Sequence, residues 1–312
     1  MTVGWGFVGA GWIADRAMAP AVHAATGARL AAAASRDPDR SRRLGVDTLH
    51  AHYGDVLDDP TVDVVYVCLA NSLHLKWVVE ALAAGKHVLC EKPLGINADQ
   101  VEYMQAAAEA TDRLLVEAAW CRWHPRFRRL VDLARAGALG ELEAIDSSFT
   151  FPGAIDGNYR ADPSLGGGAL LDVGGYQVHA WVGMTQAVED VRVTSVERQT
   201  GGLGIDITTR ASVALGRLDA RMECSFALPE HQSLVVRGSS AVASMADGQA
   251  FTTWREPSTL AVGDVVESFE AVDAYRLMIE SVSARVRGDD AFVVPVEESL
   301  RVARILDQIA SA

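Results

Sequence analysis

The N-terminal fold is decided by one stretch, Val3-Gly4-Trp5-Gly6-Phe7-Val8-Gly9-Ala10-Gly11-Trp12-Ile13-Ala14. Its first six residues predict a buried strand, and a glycine-rich turn follows where a helix would begin. This G-x-G-x-x-A arrangement lets the backbone approach a pyrophosphate at a helix N-terminus. The hexapeptide alone is a weak signal, but a second strand at residues 28–34 has the spacing of a βαβ unit. The predicted dinucleotide cradle consists of Gly9, Gly11, Trp12 and Ile13.

The end of the second predicted strand indicates which dinucleotide binds. Enzymes that use NAD usually place an acid there to hold the ribose hydroxyls, whereas this chain has Ser35-Arg36-Asp37. A hydroxyl and a guanidinium suit a 2′-phosphate, so Ser35 and Arg36 predict NADP. Asp37 keeps NAD as the less favoured alternative. Arg36 could instead be a surface charge in an arginine-rich loop.

A third apolar run, residues 62–69, is too continuous for a half-exposed strand and predicts one buried in a parallel sheet. Its carboxyl end would bring Asn71 and His74 to the sheet edge that carries the glycine turn. Both side chains could contact the nicotinamide end of a cofactor. The alternative is that they cap the helix predicted over residues 75–84.

The stretch Gly85-Lys86-His87-Val88-Leu89-Cys90-Glu91-Lys92-Pro93 predicts one more strand, residues 87–90, that runs into an acid, a lysine and a proline. Ligands bind at the carboxyl ends of strands in an open parallel sheet, and Pro93 favours an extended conformation at Lys92. Glu91 and Lys92 are therefore predicted to lie in the cofactor site, with Lys92 catalytic. The alternative is a solvated charge pair after a strand that stops at a proline.

Composition limits the class of protein. The chain has 312 residues, 49% of them hydrophobic, which suggests two domains. Its net charge of −13 argues against nucleic acid or an anionic membrane as a partner. It has no basic N-terminal leader and no run of about 18 apolar residues, so we expect a cytoplasmic protein. The four cysteines form no C-x-x-C pair, so we expect buried thiols and no metal site.

The domain boundary is predicted near residue 119, where the composition becomes aromatic and basic. This gives a dinucleotide-binding domain, 1–119, and a second domain, 120–312. After residue 190 the sequence alternates as antiparallel strands do. The predicted strands are 191–198, 207–215, 217–226, 233–237 and 241–246, and the predicted helices are 275–286 and 295–309.

The second domain has its own group of polar residues. Three glycines, residues 166–168, precede a predicted helix on which Asp172, Tyr176 and His179 fall at i, i+4 and i+7. Apolar residues surround these three side chains, so their common face must meet either a polar cavity or a structural network. The spacing leaves both readings open.

These motifs, together with Asn71-Ser72-Leu73-His74 and Arg122-Trp123-His124-Pro125, resemble the glucose-fructose oxidoreductase / inositol dehydrogenase / rhizopine-catabolism family over nearly the whole chain. The resemblance implies an α/β fold: an N-terminal Rossmann domain and a C-terminal α/β domain with a large open, mainly antiparallel sheet whose face serves dimer contacts. It places Lys92 beside the nicotinamide ring. It also implies acid/base roles for Asp172 and Tyr176 and positions near the substrate for Asn158, Arg160 and His179, although Asn158 and Arg160 could equally be plain loop residues. The chain is somewhat short for the family.

The expected function is hydride transfer between NADP and a hydroxyl or carbonyl carbon of a sugar or cyclic polyol. Tyr176 would exchange the proton with the substrate oxygen, Lys92 would assist, and Asp172 would orient Lys92. Two alternatives are a glycosidase that uses tightly held NAD and a regulator that binds dinucleotide and sugar without turnover. An uncovered sheet face would expose apolar side chains, so we expect a homodimer or homotetramer.

Overall fold

The computed structural model describes residues 1–153, 155, 157–185, 190–246 and 248–312. They form two compact units. The first contains Met1–Trp120 and Asp273–Leu300, and the second contains Cys121–Val272 and Arg301–Ala312. The sequence-based division into 1–119 and 120–312 does not include the return of residues 273–300 to the first unit.

The first unit contains a six-stranded parallel sheet in the order β3-β2-β1-β4-β5-β6, which confirms the predicted Rossmann architecture. Every residue of β1 and β4 is buried, which explains why these strands are continuous apolar runs. The order reverses between β1 and β4, so their carboxyl ends border the crevice where ligands bind in such sheets. The strands are β1 (Val3–Val8), β2 (Ala28–Ala34), β3 (Thr48–His50), β4 (Val64–Val67), β5 (His87–Cys90) and β6 (Leu115–Glu117).

Helices connect these strands. The first begins as a π-helical turn, Ala14–Met18, and continues as α1. Asn97 caps α5, since its Oδ1 accepts a hydrogen bond from the Gln100 N–H at 3.0 Å. The helices are α1 (Ala19–Ala24), α2 (Pro38–Arg43), α3 (Tyr53–Asp58), α4 (His74–Ala83) and α5 (Ala98–Thr111).

The returning segment packs on the first unit through helix α8 (Ala274–Val286). The buried Trp5 donates its indole N–H to Ser283 Oγ at 3.1 Å. The rings of Trp120 and Tyr275 stack with centroids 4.6 Å apart. These contacts join residues more than 150 positions apart in the chain, so no local pattern could have assigned this helix to the first unit.

The second unit contains an eight-stranded sheet in the order β14-β13-β12-β11-β7-β10-β9-β8. Strands β7 and β10 pair in parallel, and the other neighbouring pairs among the described residues are antiparallel, as predicted. All five predicted strands are present; β7, β13 and β14 were not predicted. The strands are β7 (Leu142–Thr150), β8 (Val191–Thr200), β9 (Asp206–Leu215), β10 (Leu218–Ser225), β11 (His231–Gly238), β12 (Val242–Met245), β13 (Ser258–Val262) and β14 (Val265–Phe269).

The outward face of the central strands is charged, so the expectation of an apolar face is wrong. Asp146 on β7 accepts a hydrogen bond from Arg221 on β10 at 3.0 Å and pairs with Arg237 on β11. Arg210 on β9 donates to Glu223 on β10 at 2.6 Å. The other face is buried beneath helix α7 (Gly175–Met184) and the π-helical turn that precedes it, Leu170–Gly174, and carries the apolar side chains of the same strands.

The remaining helices are α6 (Pro125–Arg135), α7 (Gly175–Met184) and α9 (Val296–Ser311), and a π-helical turn, Leu170–Gly174, leads directly into α7.

No helix in the described part of the chain is long and apolar enough to span a bilayer. The four cysteines are free and buried, as predicted.

Candidate functional site

The glycine turn after β1 can only be built from glycine at its first position. Gly9 has φ +99°, and a Cβ there would lie 2.2 Å from the Cys68 carbonyl oxygen. Its N–H donates to the Ala34 carbonyl at 2.9 Å, which fixes the turn at the end of β2. Gly11 approaches the Cys68 thiol, because a Cβ at Gly11 would lie 3.3 Å from Sγ. This close approach of backbone to β4, followed by a helix start, fits a dinucleotide pyrophosphate.

The next two residues of the predicted cradle differ in exposure. The Trp12 side chain is 71% exposed, and the Arg16 guanidinium lies 5.3 Å from its ring centroid. Ile13 is half-buried at the start of the helix. The exposed Trp12 ring beside the glycine turn is available for contact with a ligand.

The residues after β2 include an exposed guanidinium, Arg36, and a hydrogen-bonded carboxylate, Asp37. Ser35 Oγ accepts the Asp37 N–H at 3.2 Å, and Asp37 Oδ1 accepts the Asp39 N–H at 3.0 Å as the cap of α2. The other Asp37 oxygen lies 3.5 Å from Arg40 Nε. Arg36 is exposed. Because the Asp37 carboxylate already serves α2, the arrangement favours a phosphate at Arg36 over ribose hydroxyls at Asp37.

His74 is completely buried and holds the backbone that follows two neighbouring strands, β4 and β5. Its Nδ1 lies 2.9 Å from the Pro93 carbonyl oxygen, and its Nε2 lies 3.2 Å from that of Leu69. Burial lowers the pKa of His74, although both carbonyls act to raise it. Asn71 is also buried, at the start of the short turn before α4. The structure thus gives His74 structural contacts with two backbone carbonyls, but it does not cap the helix, since α4 begins at His74 itself and its N-cap is Leu73.

Lys92 lies two residues beyond β5 and is half-buried. Its backbone N–H donates to Glu91 Oε2 at 3.3 Å, and the Lys92-Pro93 peptide bond is cis. Glu91 Oε1 accepts the Tyr66 hydroxyl at 2.5 Å. The Leu94 N–H donates to Glu117 Oε1 at 3.0 Å. Lys92 therefore lies at the carboxyl end of a central strand, on a backbone held by side-chain hydrogen bonds.

In the second unit, a half-buried acid anchors the segment that carries Asp172 and Tyr176. Asp206 Oδ2 accepts the Leu170 N–H at 2.8 Å and the Thr209 hydroxyl at 2.9 Å. Burial raises the pKa of Asp206, although both hydrogen bonds act to lower it. A Cβ at Gly168 would lie 2.1 Å from Asp206 Oδ1, so the last of the three glycines makes this contact possible.

Arg160 joins Asp172 and Tyr176 electrostatically. Its Nε donates to Asp172 Oδ2 at 2.7 Å, and the side chains are 31% and 7% exposed. Burial acts to lower the pKa of Arg160, but the Asp172 carboxylate and then the phenols of Tyr159 and Tyr176 raise it. Asn158 is a local cap, because its Oδ1 accepts the Arg160 N–H at 3.1 Å. An ion pair next to a phenol is an arrangement suited to proton exchange.

Tyr176 itself lies on a cluster of aromatic rings. Its ring is tilted against Phe149 at a centroid distance of 5.5 Å and against Phe251 at 6.4 Å. His179, one turn further along α7, is buried, and its carbonyl accepts the Arg122 Nη1–H at 3.3 Å. The aromatic cluster fixes the ring of Tyr176, so its hydroxyl has a defined position.

Sequence reasoning missed the supporting residues of both units. They include the buried Tyr66, Glu117 and Arg122 and the half-buried Asp206. Glu117 ends the apolar strand β6 and Asp206 begins β9, and an acid at the end of a strand is the one local signal that could have identified them. In the described part of the chain, no cluster of three or more histidine, cysteine, aspartate or glutamate side chains could hold a metal ion.

Comparison with known proteins identifies the family. Residues 3–118 match the GFO/IDH/MocA oxidoreductase family with NAD-binding Rossmann fold, and residues 127–244 match the C-terminal domain of the same family. The chain belongs to this oxidoreductase family. A D-xylose 1-dehydrogenase (NADP(+)) from Haloferax volcanii is 35% identical, over 98% of this chain and 95% of the relative.

Solved structures agree with this assignment. A 3-ketoreductase from Actinomadura kijaniata in complex with NADP and TDP-benzene is 28% identical, with a TM-score of 0.89 over 100% of this chain and 98% of that chain. An aldose-aldose oxidoreductase from Caulobacter crescentus, 22% identical, has a TM-score of 0.88 over 100% of this chain and 97% of that chain. The second similarity shows the fold alone.

Proposed function

We propose that this oxidoreductase is an NADP-preferring dehydrogenase or reductase that acts on a hydroxyl or carbonyl carbon of a sugar, ketosugar or related cyclic polyol. The observation that carries the proposal is the Arg160–Asp172 ion pair, which lies on the segment that leads to Tyr176. The first unit of the same chain has a glycine turn suited to a dinucleotide and a lysine, Lys92, at the end of a strand. The family relationship supports the redox chemistry.

The first unit would hold the cofactor through its backbone and one cation. Gly9 and Gly11 would accommodate the pyrophosphate, Ser35 and Arg36 the 2′-phosphate, and Glu91 and Lys92 would lie towards the nicotinamide. When bound, the cofactor supplies a hydride acceptor or donor. Asn71, Trp12 and Ile13 stay in the proposed cofactor set, whereas His74 would act through the backbone that it holds.

The second unit would supply proton transfer. Tyr176 would exchange a proton with the substrate oxygen, and the positive charge of Arg160 stabilises a phenolate at Tyr176. Asp172 holds Arg160 in place at 2.7 Å. Lys92 would bind the same substrate oxygen and favour its charged form. Asn158 and His179 would shape the substrate site from the two ends of this segment.

The solved 3-ketoreductase supports this pair of catalytic residues. Its structures include variants with one tyrosine replaced and with one lysine replaced, each in complex with TDP-benzene and NADP. The two replaced positions are separated by the same number of residues as Lys92 and Tyr176. The names of that enzyme and of the xylose dehydrogenase also favour a sugar or ketosugar as substrate.

We also propose a cytoplasmic homodimer or homotetramer. Free buried thiols are typical of a reducing compartment. The arginines and acids on the outward face of the sheet pair within one chain, and two copies related by a two-fold axis would bring two such mixed-charge faces together. Light scattering at low and high salt tests the assembly, and a mass of 33.3 kDa at every concentration would exclude it.

A substrate screen tests the proposed activity. Aldoses, ketosugars and cyclic polyols would be incubated with NADP or NADPH, and the change in nicotinamide absorbance would be followed. We expect turnover with at least one sugar and a higher kcat/KM with NADP than with NAD. Nitrophenol release from nitrophenyl glycosides without net change in the cofactor would instead indicate a glycosidase. Tight cofactor binding without any turnover would contradict the proposed function.

A further inference from the structure

Three consecutive backbone positions that include Lys92 are held by side chains from three parts of the first unit, the half-buried Glu91 and the buried His74 and Glu117. We call Lys92-Pro93-Leu94 the lysine loop. Glu91 accepts the Lys92 N–H at 3.3 Å, His74 Nδ1 lies 2.9 Å from the Pro93 carbonyl, and Glu117 accepts the Leu94 N–H at 3.0 Å. Loops that follow strands usually vary in sequence and move. Hydrogen bonds at three successive residues therefore indicate that the position of this loop matters for function.

Tyr66 fixes the first of these contacts from within the sheet. It lies on the buried strand β4, and its ring packs edge-on against Phe7 at a centroid distance of 4.8 Å. Its hydroxyl donates to Glu91 at 2.5 Å, which leaves the other carboxylate oxygen for the Lys92 N–H. Burial first, then Cys68 and Glu91, raise the pKa of Tyr66 well above its ordinary value. The hydroxyl therefore keeps its proton and remains a donor.

Glu117 fixes the last contact from the neighbouring strand β6. It is the last residue of β6 and is buried, and a buried carboxylate is costly unless it is hydrogen-bonded. Its bond to the Leu94 N–H spans 23 positions in the chain. Its charge also acts on His74, where it opposes the lowering of the pKa by burial.

We propose that Tyr66 and Glu117 are positioning residues that set the place of the Lys92 side chain by fixing the backbone on each side of it. The inference rests on the proposed function, in which Lys92 contacts the reacting oxygen. A displacement of about 1 Å at a reacting centre can cost about 10²-fold in rate, so this backbone control has a measurable catalytic effect.

The first test removes one hydroxyl. Tyr66→Phe should lower kcat by about tenfold to a hundredfold, while KM for the sugar and the Kd of NADPH change by less than about threefold. Tyr103→Phe, on the exposed face of α5, is the matched control and should behave as the wild type. An unchanged kcat in Tyr66→Phe, or equal losses in kcat and in NADPH affinity, would overturn the role of Tyr66.

The second test uses Glu117, which also serves if Tyr66→Phe does not fold. Glu117→Gln keeps an acceptor for the Leu94 N–H and should retain most of kcat, whereas Glu117→Ala should lose about tenfold or more. Similar kcat values for the two variants would contradict a positioning role.

A double-mutant cycle tests the route through Glu91. If Tyr66 acts through this carboxylate, Tyr66→Phe should have little further effect in a Glu91→Ala background. Fully additive losses would show that Tyr66 acts by another route.

Backbone hydrogen exchange separates this proposal from the proposed function, because it needs no substrate. The Lys92 and Leu94 amides should exchange faster in Tyr66→Phe and Glu117→Ala respectively, and at the wild-type rate in Tyr103→Phe. Absence of wild-type turnover would contradict the proposed function alone, and the exchange rates would still decide whether these side chains fix the loop. Unchanged exchange in both variants would overturn the positioning role whatever the activity.

Discussion

The lysine loop and the segment that carries Tyr176 are held in different ways. In the first unit, side chains hold backbone groups, as the bonds from Lys92 N–H to Glu91 and from Leu94 N–H to Glu117 show. In the second unit, the key contact joins two charged side chains, Arg160 and Asp172. The first arrangement fixes the position of the backbone around Lys92, and the second balances the charges of Arg160 and Asp172. Substitutions in the two regions should therefore fail in different ways.

The largest expected effect is on turnover and tests whether both regions serve one reaction. Lys92→Ala and Tyr176→Phe should each lower kcat by about 10²–10⁴-fold, the range for a positioned acid/base, while NADP binding is kept. His179→Ala should cost much less, because His179 lies a further turn along α7. Steady-state kinetics and calorimetry measure the two quantities. A normal kcat in Tyr176→Phe together with an inactive His179→Ala would transfer the proton-exchange role to His179.

The next effect concerns the cofactor and lies wholly in the first unit. Arg36→Ala should weaken NADP binding by about tenfold to a hundredfold, the loss expected for one charge-assisted contact to a phosphate, and leave NAD binding almost unchanged. Arg42→Ala is the matched control, since Arg42 pairs with Asp39 in the same arginine-rich segment. Calorimetry with both dinucleotides measures the effect. Equal losses of affinity for NADP and NAD would show that Arg36 does not contact the 2′-phosphate.

A third effect separates charge from position in the second unit. Arg160→Ala should reduce the free energy of unfolding by about 1–3 kcal/mol, below the value for a fully buried pair because Arg160 is partly exposed. Asp172→Asn should cost less, because the Arg160 guanidinium can still reach solvent. Urea denaturation measures both values. A larger loss of unfolding free energy for Asp172→Asn than for Arg160→Ala would contradict the expectation that the buried Asp172 depends more on Arg160 than Arg160 depends on Asp172.

The smallest effect is a pH dependence of stability in the first unit. The pKa of His74 is lowered in the folded state, so the unfolded chain binds more protons, and stability is lost as pH falls below about 6.5. His74→Gln should remove that part of the slope, at most about 1.4 kcal/mol per pH unit. His231→Gln, at the exposed start of β11, is the matched control. The same slope in His74→Gln and in the wild type between pH 7.5 and 5 would contradict the assignment.

Local patterns predicted the parts of the molecule that local geometry governs. The glycine turn follows from the need for a positive φ at Gly9, and the helix cap at Asn97 follows from a side chain that bonds to the nearby Gln100 N–H. The buried parallel strands are visible because both of their faces are apolar. Strand β7 was missed because its last four residues, Ser147–Thr150, are all buried although three of them are polar, so no alternation marks them.

The sequence by itself determined the Rossmann unit, the mainly antiparallel second sheet and the positions of Lys92, Asp172 and Tyr176 within them. The tertiary structure alone decided which residues support these three. Tyr66 reaches Glu91 across 25 positions, Glu117 reaches Leu94 across 23, and Asp206 reaches Leu170 across 36. The physical reason is that hydrogen bonds depend on separation in space, and folding brings together groups whose separation along the chain carries no period or motif.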